Sequence, residues 1–348
     1  MKHSLNRFMV ILVALLLLVS VNGFAQEART GTNAASELLI PVGARYIGMG
    51  GAPLAVVGGI DAVYYNPAGL AFSDKTAYGM VSQMNYIADI NVTYAAASVN
   101  FEGFGSLAFA IKSLNIGEID ITTVDSPDGT GATFSPQFLT VGLTYAKALS
   151  DRVYVGTTAN LVSESMDRVK ASGLAFDFGV QYRGVGQIEG LSLGLAVKNI
   201  GKSMQFGGSG LIRQTTINGV DRATSPTEIV AQADELPTSF EIGLNYTLKV
   251  DDKSSVDVST LYEEQSFQSD ITKFGIEYSF DKMAFLRAGY SISPDATDLN
   301  GDNAYNYGLT LGAGLQYNIN NVDVRLDYAF RQVEFFDSNN VFSLVFGF

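Results

Sequence analysis

The chain has no cysteine and no tryptophan, and its single histidine is His3. Once a leader is cleaved from the N-terminus, as read below, neither imidazole nor thiol is left. Ser-His and Cys-His nucleophile pairs, imidazole or thiolate metal sites, disulfides and redox thiols are thereby excluded. Charge is scarce as well: Asp, Glu, Lys and Arg make up 16% of the 348 residues, against roughly 25% in an ordinary soluble protein. What charge there is has the wrong sign for nucleic acid. Acids outnumber bases 35 to 22, for a net charge of −13, whereas phosphate binding needs clustered Lys and Arg. In place of these residues stand 36 Gly, 22 Phe and 17 Tyr. The mean hydropathy of +0.17 is too high for a disordered chain and modest for a helical membrane protein.

Lys2 and Arg7 flank the start of an apolar run from Phe8 to Val19, followed by Gly23-Phe24-Ala25. A basic region, a short hydrophobic core and small residues before the cut describe a secretory signal peptide over residues 1–25. The run is about 12 residues, short of the roughly 20 that a membrane helix needs. No cysteine follows the cleavage point, so lipid attachment there is excluded. An exported protein is expected.

The mature chain has a period of two. Leu174, Phe176, Phe178, Val180 and Tyr182 alternate with Ala175, Asp177, Gly179, Gln181 and Arg183. The pattern returns at Phe240 to Leu248, at Tyr305 to Tyr317 and at Val322 to Phe330. Successive strand side chains point to opposite sides, so one face is greasy and the other small or polar. The segments run about ten residues, which is what a tilted strand needs to cross a bilayer. Their spans are 77–87, 91–101, 104–114, 138–148, 152–163, 172–183, 190–200, 237–248, 254–264, 270–280, 284–293, 305–317, 321–332 and 339–348. The spacing therefore predicts an all-β fold, a transmembrane antiparallel barrel of about 14 strands over residues 77–348. The long gaps 115–137, 201–236 and 294–304 are the third, seventh and eleventh, while the tight turns fall at even-numbered gaps. Long loops on one side and short turns on the other fit an outer-membrane barrel with its termini in the periplasm. Without Trp, interfacial belts would be built from residues such as Tyr305, Tyr307 and Tyr317. The final strand ends Phe346-Gly347-Phe348.

Residues 26–76 break this pattern. They are rich in Gly and Ala and interrupted by Pro41, Pro53 and Pro67, which suits compact turns and short helices. Gly48-Met49-Gly50-Gly51 lacks the spacing of a nucleotide loop. Asn66 before Pro67 is biased to extended backbone, and the glycines permit close packing on a wall. Arg45 and Asp61 would be costly in a lumen unless paired. The polar-face residues Arg287, Asp323, Arg325, Asp327 and Arg331 are the candidate partners, and we expect Asp61 to pair with a lumen arginine and latch this segment.

The run Pro41-x-Gly43-Ala44-Arg45, Gly48, Gly50, Gly51, Asp61 and Asn66-Pro67-Ala68 resembles the N-terminal hatch of FadL-like outer-membrane proteins, closest to the PorV/PorQ branch. The resemblance covers about 35 residues, and it implies a fourteen-stranded barrel whose lumen is filled by this plug. It also makes Phe346 and Phe348 resemble the terminal signal read by the barrel-assembly machinery, one expected partner beside outer-membrane lipid. For the PorV/PorQ branch it implies a role in type IX protein secretion, with secreted proteins or secretion components at the outer loops. The FadL branch implies instead uptake of a hydrophobic small molecule. Loop 201–236 carries Met204, Phe206, Leu211, Ile212, Ile217, Ile229 and Val230, which serve either reading. The secretion role is the favoured expectation, because the hatch sequence looks closer to that branch.

Catalysis is not expected, and neither is a cofactor. Asp295, Asp298, Asn300 and Asp302 around Gly301 resemble a calcium loop only in part, since alignment on the glycine leaves Ala296 and Tyr307 at the end ligand positions. Glu263 and Glu264 are strand neighbours, point to opposite faces and do not make a carboxylate pair.

Overall fold

The computed structural model describes residues 31–215, 225–297 and 303–348. The expected signal peptide, Ile217 and most of the Asp295–Asp302 loop lie outside them.

Fourteen strands close into one antiparallel barrel in which sequence neighbours are spatial neighbours. They are β1 (Ala77–Asn85), β2 (Asn91–Phe101), β3 (Gly105–Asn115), β4 (Gln137–Ala148), β5 (Val153–Met166), β6 (Val169–Arg183) and β7 (Leu191–Gly201). The second half holds β8 (Ser239–Lys249), β9 (Ser254–Gln265), β10 (Ile271–Phe280), β11 (Ala284–Ile292), β12 (Tyr307–Ile319), β13 (Val322–Val333) and β14 (Asn339–Gly347). β1 pairs with β14, and Thr76 N donates to the Phe348 carbonyl at 2.9 Å, so no strand edge is left open.

The alternation read from the sequence separates outside from inside. Phe109, Leu143, Leu174, Phe178, Leu286, Leu315 and Phe342 are each about half exposed or more and form the outer surface. Their neighbours Ser98, Thr144, Thr158, Asp177, Gln181, Asn245 and Asp327 are buried and face the lumen. An apolar exterior around a polar interior is the reverse of a soluble sandwich and requires a lipid environment. Phe346 and Phe348 lie at the short-turn end, the latter 57% exposed.

Two departures from simple alternation matter. Tyr307 pairs with Val333, but Thr310 pairs with Arg331, so β12 carries one extra residue. Such a bulge reverses the facing of everything before it. Tyr305 and Tyr307 are therefore not part of an interfacial belt: both border a lumen cavity, whereas Tyr317, beyond the bulge, is 61% exposed outside. The second departure is at the fifth gap. Residues 164–171 read as a loop in the sequence, yet β5 and β6 run to 14 and 15 residues and turn over Asp167-Arg168 alone. This projecting hairpin pairs with the long seventh loop, Lys170 N donating to the Gly207 carbonyl at 2.9 Å.

Residues 31–76 fold inside the barrel as short pieces: 3-10 turns at Ser36–Leu39, Gly59–Asp61 and Pro67–Ala71, with helices α1 (Ala44–Ile47) and α2 (Ala62–Tyr65) between them. Their apolar side, with Val42, Tyr46, Val57, Ile60 and Leu70, packs on the alanine-rich inner wall at Ala96, Ala108, Ala110 and Ala146.

Candidate functional site: a plugged lumen with an outer vestibule

The plug rests on the wall through glycine. Gly156 and Gly179 are cross-strand partners on β5 and β6, as are Gly194 and Gly243 on β7 and β8, and Gly275 and Gly289 on β10 and β11. A Cβ on Gly156 would collide with the Pro67 backbone, and one on Gly179 with Asn66 Oδ1. On Gly194 it would stand 2.7 Å from Leu54 and Ala55 backbone, and on Gly275 2.5 Å from the Met49 carbonyl. Gly289 faces Gly50 in the same way, and Gly48 lies against Gly312. Paired glycines on successive strands thus form a shelf that brings plug backbone against wall backbone.

The Asn66-Pro67-Ala68 motif is the wedge that enters this shelf. Asn66 has the extended backbone expected before proline, φ −155°, and caps the following turn by accepting from Ala68 N at 3.2 Å. Its Nδ2 donates to the Leu54 carbonyl at 3.1 Å and to the Val180 carbonyl of the wall at 3.2 Å. Asn66 is fully buried, so each of these bonds replaces one to water. On the same side Gln181 donates to the Leu54 and Val57 carbonyls at 3.0 and 2.9 Å, and Arg183 to the Val56 carbonyl at 3.2 Å.

The opposite side is held by charge. Arg325 meets Asp61 of the plug and, at 2.7 Å, Asp327. Arg287 bridges Asp327 at 2.7 Å and Glu277, and Glu277 takes Arg45 of the plug at 2.8 Å. Three arginines and three carboxylates form one chain that begins and ends on the plug. Burial alone would lower the Arg45 pKa, but Glu277 and, more weakly, Asp61 hold it well above the ordinary arginine value. Of the lumen candidates named from the sequence, Arg287, Arg325 and Asp327 enter this chain. Asp323 does not: it sits at the short-turn rim and pairs with Lys75 at 3.1 Å. Arg331 also stands apart, bonded to Asn339 and lying over the Tyr307 ring at 4.1 Å.

Above the plug, at the long-loop end, opens a vestibule of about 860 Å³. Its walls are Tyr86, Ile90, Leu114, Phe138, Phe206 and Tyr307, and its floor is the first plug turn. Leu39 of that turn borders both the vestibule and an inner cavity of about 80 Å³, while Leu38 borders that cavity and another of about 50 Å³. The turn thus partitions the lumen. Lys112 of β3 holds it from behind, Nζ donating to the carbonyls of Glu37 at 2.7 Å and Ile40 at 3.3 Å. A separate cavity of about 330 Å³ lies on the short-turn side, bordered by Arg45, Tyr46, Arg183 and Glu277. The seventh loop is divided in use: Met204 is buried against Ala34, Ala35 and Leu236, whereas Ile229 and Val230 are 52% and 79% exposed.

Sequence reading missed Lys112, Gln181, Glu277, Glu37 and Glu164. The signal for the strand residues was present, because a charged or amide side chain at mid-strand on the small face must point into the lumen. Partner identity carried no such signal, since the contacts cross 75 to 232 positions of chain. Among the described residues, no three His, Cys, Asp or Glu side chains are placed to hold a metal.

No protein-family model and no curated protein matches the chain. Solved structures do. The CymD monoaromatic hydrocarbon channel aligns over 89% of this chain and 98% of its own, at 14% identity and a TM-score of 0.51. The toluene transporter TodX of P. putida aligns over 88% and 98%, at 15% identity and a TM-score of 0.53. A Pseudomonas aeruginosa FadL homologue aligns over 88% and 98%, at 12% identity and a TM-score of 0.49. At these identities the likeness is one of fold, and the first two alignments carry it. The chain shares the fold of these two channels, here fourteen antiparallel strands closed around an N-terminal plug.

Proposed function

We propose that this protein is an outer-membrane channel for hydrophobic small molecules, which enter at the vestibule and pass the plug. The observation that carries this reading is the vestibule itself, about 860 Å³, where aromatic and aliphatic side chains such as Tyr86, Ile90, Leu114 and Phe138 share the lining with polar ones such as Glu263, Gln265, Gln268 and Lys273, above smaller cavities along the plug. That is the size of a small-molecule site, with apolar side chains to receive a ligand's body. The two neighbours with the same fold are named for toluene and monoaromatic hydrocarbons, which agrees with such a lining. Type IX secretion, favoured by the likeness of residues 41–68 to PorV/PorQ, draws no support from these neighbours. Its remaining support is that hatch likeness and the exposed Ile229 and Val230. The mature chain is proposed to act without catalysis, after signal cleavage and insertion by the barrel-assembly machinery.

Native mass spectrometry of the barrel, released gently from its own outer membrane, separates the readings. A bound apolar or aromatic molecule that is lost when vestibule residue Phe138 is changed to Asp supports uptake. A co-purifying protein, lost when residues 205–233 are shortened, with no small molecule bound, overturns it in favour of secretion.

A further inference from the structure

The arginines inside the barrel are matched by acid, with one buried exception. Arg45, Arg287 and Arg325 each pair with a carboxylate of the charge chain. Arg183, at the end of β6, has carbonyl partners and is partly exposed. Arg331 of β13 is 8% exposed, and no carboxylate among the described residues pairs with it. Its Nε and Nη2 both donate to Asn339 Oδ1, a neutral acceptor, at 2.9 and 2.7 Å. The Tyr307 ring lies 4.1 Å from the guanidinium and the Tyr86 ring 5.8 Å. Nη1 has no hydrogen-bond partner among the described residues and, unlike Arg287 Nη2, is not sealed into the packing. Arg331 borders the inner cavity of about 80 Å³, while Tyr86 and Tyr307, whose hydroxyls meet at 2.7 Å, take the vestibule side.

The charges around that cavity leave one positive charge over. Lys198 pairs with Glu241 at 2.9 Å, and Lys273 with Glu263, which cancels four of the five charged groups that border it. Arg331 is the fifth. Ring faces and an amide oxygen solvate a guanidinium but carry no net charge, and a buried ion without a counter-ion is costly.

We propose that the inner cavity is a binding site for a small inorganic monoanion, chloride in the outer medium, held by Arg331 Nη1. One negative charge restores neutrality, whereas a dianion would overshoot it and a cation would meet an excess of positive charge. Ser239 and Ser291, both buried, border the same space with hydroxyls that can donate to the ion. About 80 Å³ takes a chloride and a few waters, and it is well below the about 300 Å³ from which pockets enclose an organic ligand. The site goes beyond the uptake of hydrophobic molecules and does not depend on it.

Bromide, close to chloride in size, is the probe. Crystals of the mature barrel are soaked in sodium bromide at about 100 mM and measured at the bromine absorption edge. The expected result is an anomalous peak in the inner cavity at hydrogen-bond distance from Arg331 Nη1, absent in Arg331→Gln. In detergent solution the chlorine-35 resonance of chloride should broaden with the wild-type barrel, and at least fivefold less with Arg331→Gln. Heat-modifiable gel mobility checks that the variant is folded, and the wild-type bromide map stands if it is not. Water density alone in the wild-type cavity, with no anomalous peak, overturns the site. A peak that persists in the folded variant overturns Arg331 as its holder. A wild-type peak without excess broadening over the folded variant is binding at crystal concentration only, and overturns the site as well. The vestibule ligand decides the uptake reading separately.

Discussion

The two ends of the plug are held in different ways. Residues 42–72 sit backbone to backbone on paired wall glycines and are tied at both flanks, by buried amide and guanidinium donors on β6 and by the six-member charge chain from Arg45 to Asp61 on the opposite side. Residues 34–41 have no glycine shelf. They are held by Lys112 under three carbonyls, by Glu164 at Ala35 N, and by Ala34 N donating to the Glu235 carbonyl at 3.0 Å. The firm end fills the short-turn half of the lumen, and the looser end floors the vestibule. A channel that keeps its plug yet lets a ligand pass has reason for this division, because the outer turn, with the Lys273–Glu263 pair of the wall, stands between the vestibule and the inner cavity.

The sharpest way to break the comparison is to remove the shelf. Gly156→Val places a Cβ 2.4 Å from the Pro67 backbone, and no side-chain rotation relieves that. The barrel is expected to form with residues 42–72 undocked and open to protease, a loss well beyond the ~1–3 kcal/mol of ordinary overpacking. A protected plug in this variant would show that the glycine pair is incidental.

The charge chain comes next. Asp61→Ala leaves Arg325 with Asp327 alone in a buried setting, and removing one partner of a buried pair costs about 3–5 kcal/mol. Hydrogen exchange over residues 44–70 should speed by at least 100-fold, with little change at 34–40. Unchanged exchange and protease protection would refute the latch.

The smallest effect belongs to the outer turn. The Glu37 carboxyl is raised from 4.5 to about 8 in the folded protein, first by burial and then by Glu164. A raised carboxyl stabilises docking fully below its unfolded pKa and loses that contribution as pH climbs through its folded value. Residues 34–40 should therefore exchange faster at pH 9 than at pH 6, after correction for intrinsic rates, while residues 44–70 do not respond. Glu37→Gln should abolish the difference. Equal protection at both pH values in the wild type would remove Glu37 from the account.

Much of the molecule was legible before folding. Each of the fourteen strand spans overlaps its observed strand, because lipid outside and polar lumen inside force a period of two that nothing else in the chain imitates. The Asn66-Pro67 turn was legible for a local reason, the restriction proline places on its predecessor. Tyr305 and Tyr307 were misplaced because a bulge one residue long is invisible to periodicity yet inverts the side chains before it relative to those after it. Asp323 was assigned to the lumen on correct parity, but its depth along the strand puts it at the rim beside Lys75.

By itself, then, the sequence determined the barrel, its strand number, the side that strand residues face wherever no bulge intervenes, and the presence of a foreign N-terminal segment. These follow from near-neighbour constraints: alternation, strand length and turn chemistry. Only the tertiary structure decided which glycines pair into a shelf, which arginine takes Asp61, and that Glu37 and Glu164 meet at the floor of the vestibule. Those depend on how the closed barrel seats its plug, which joins residues up to about 260 positions apart, and no local pattern encodes which residues that closure brings to the same height.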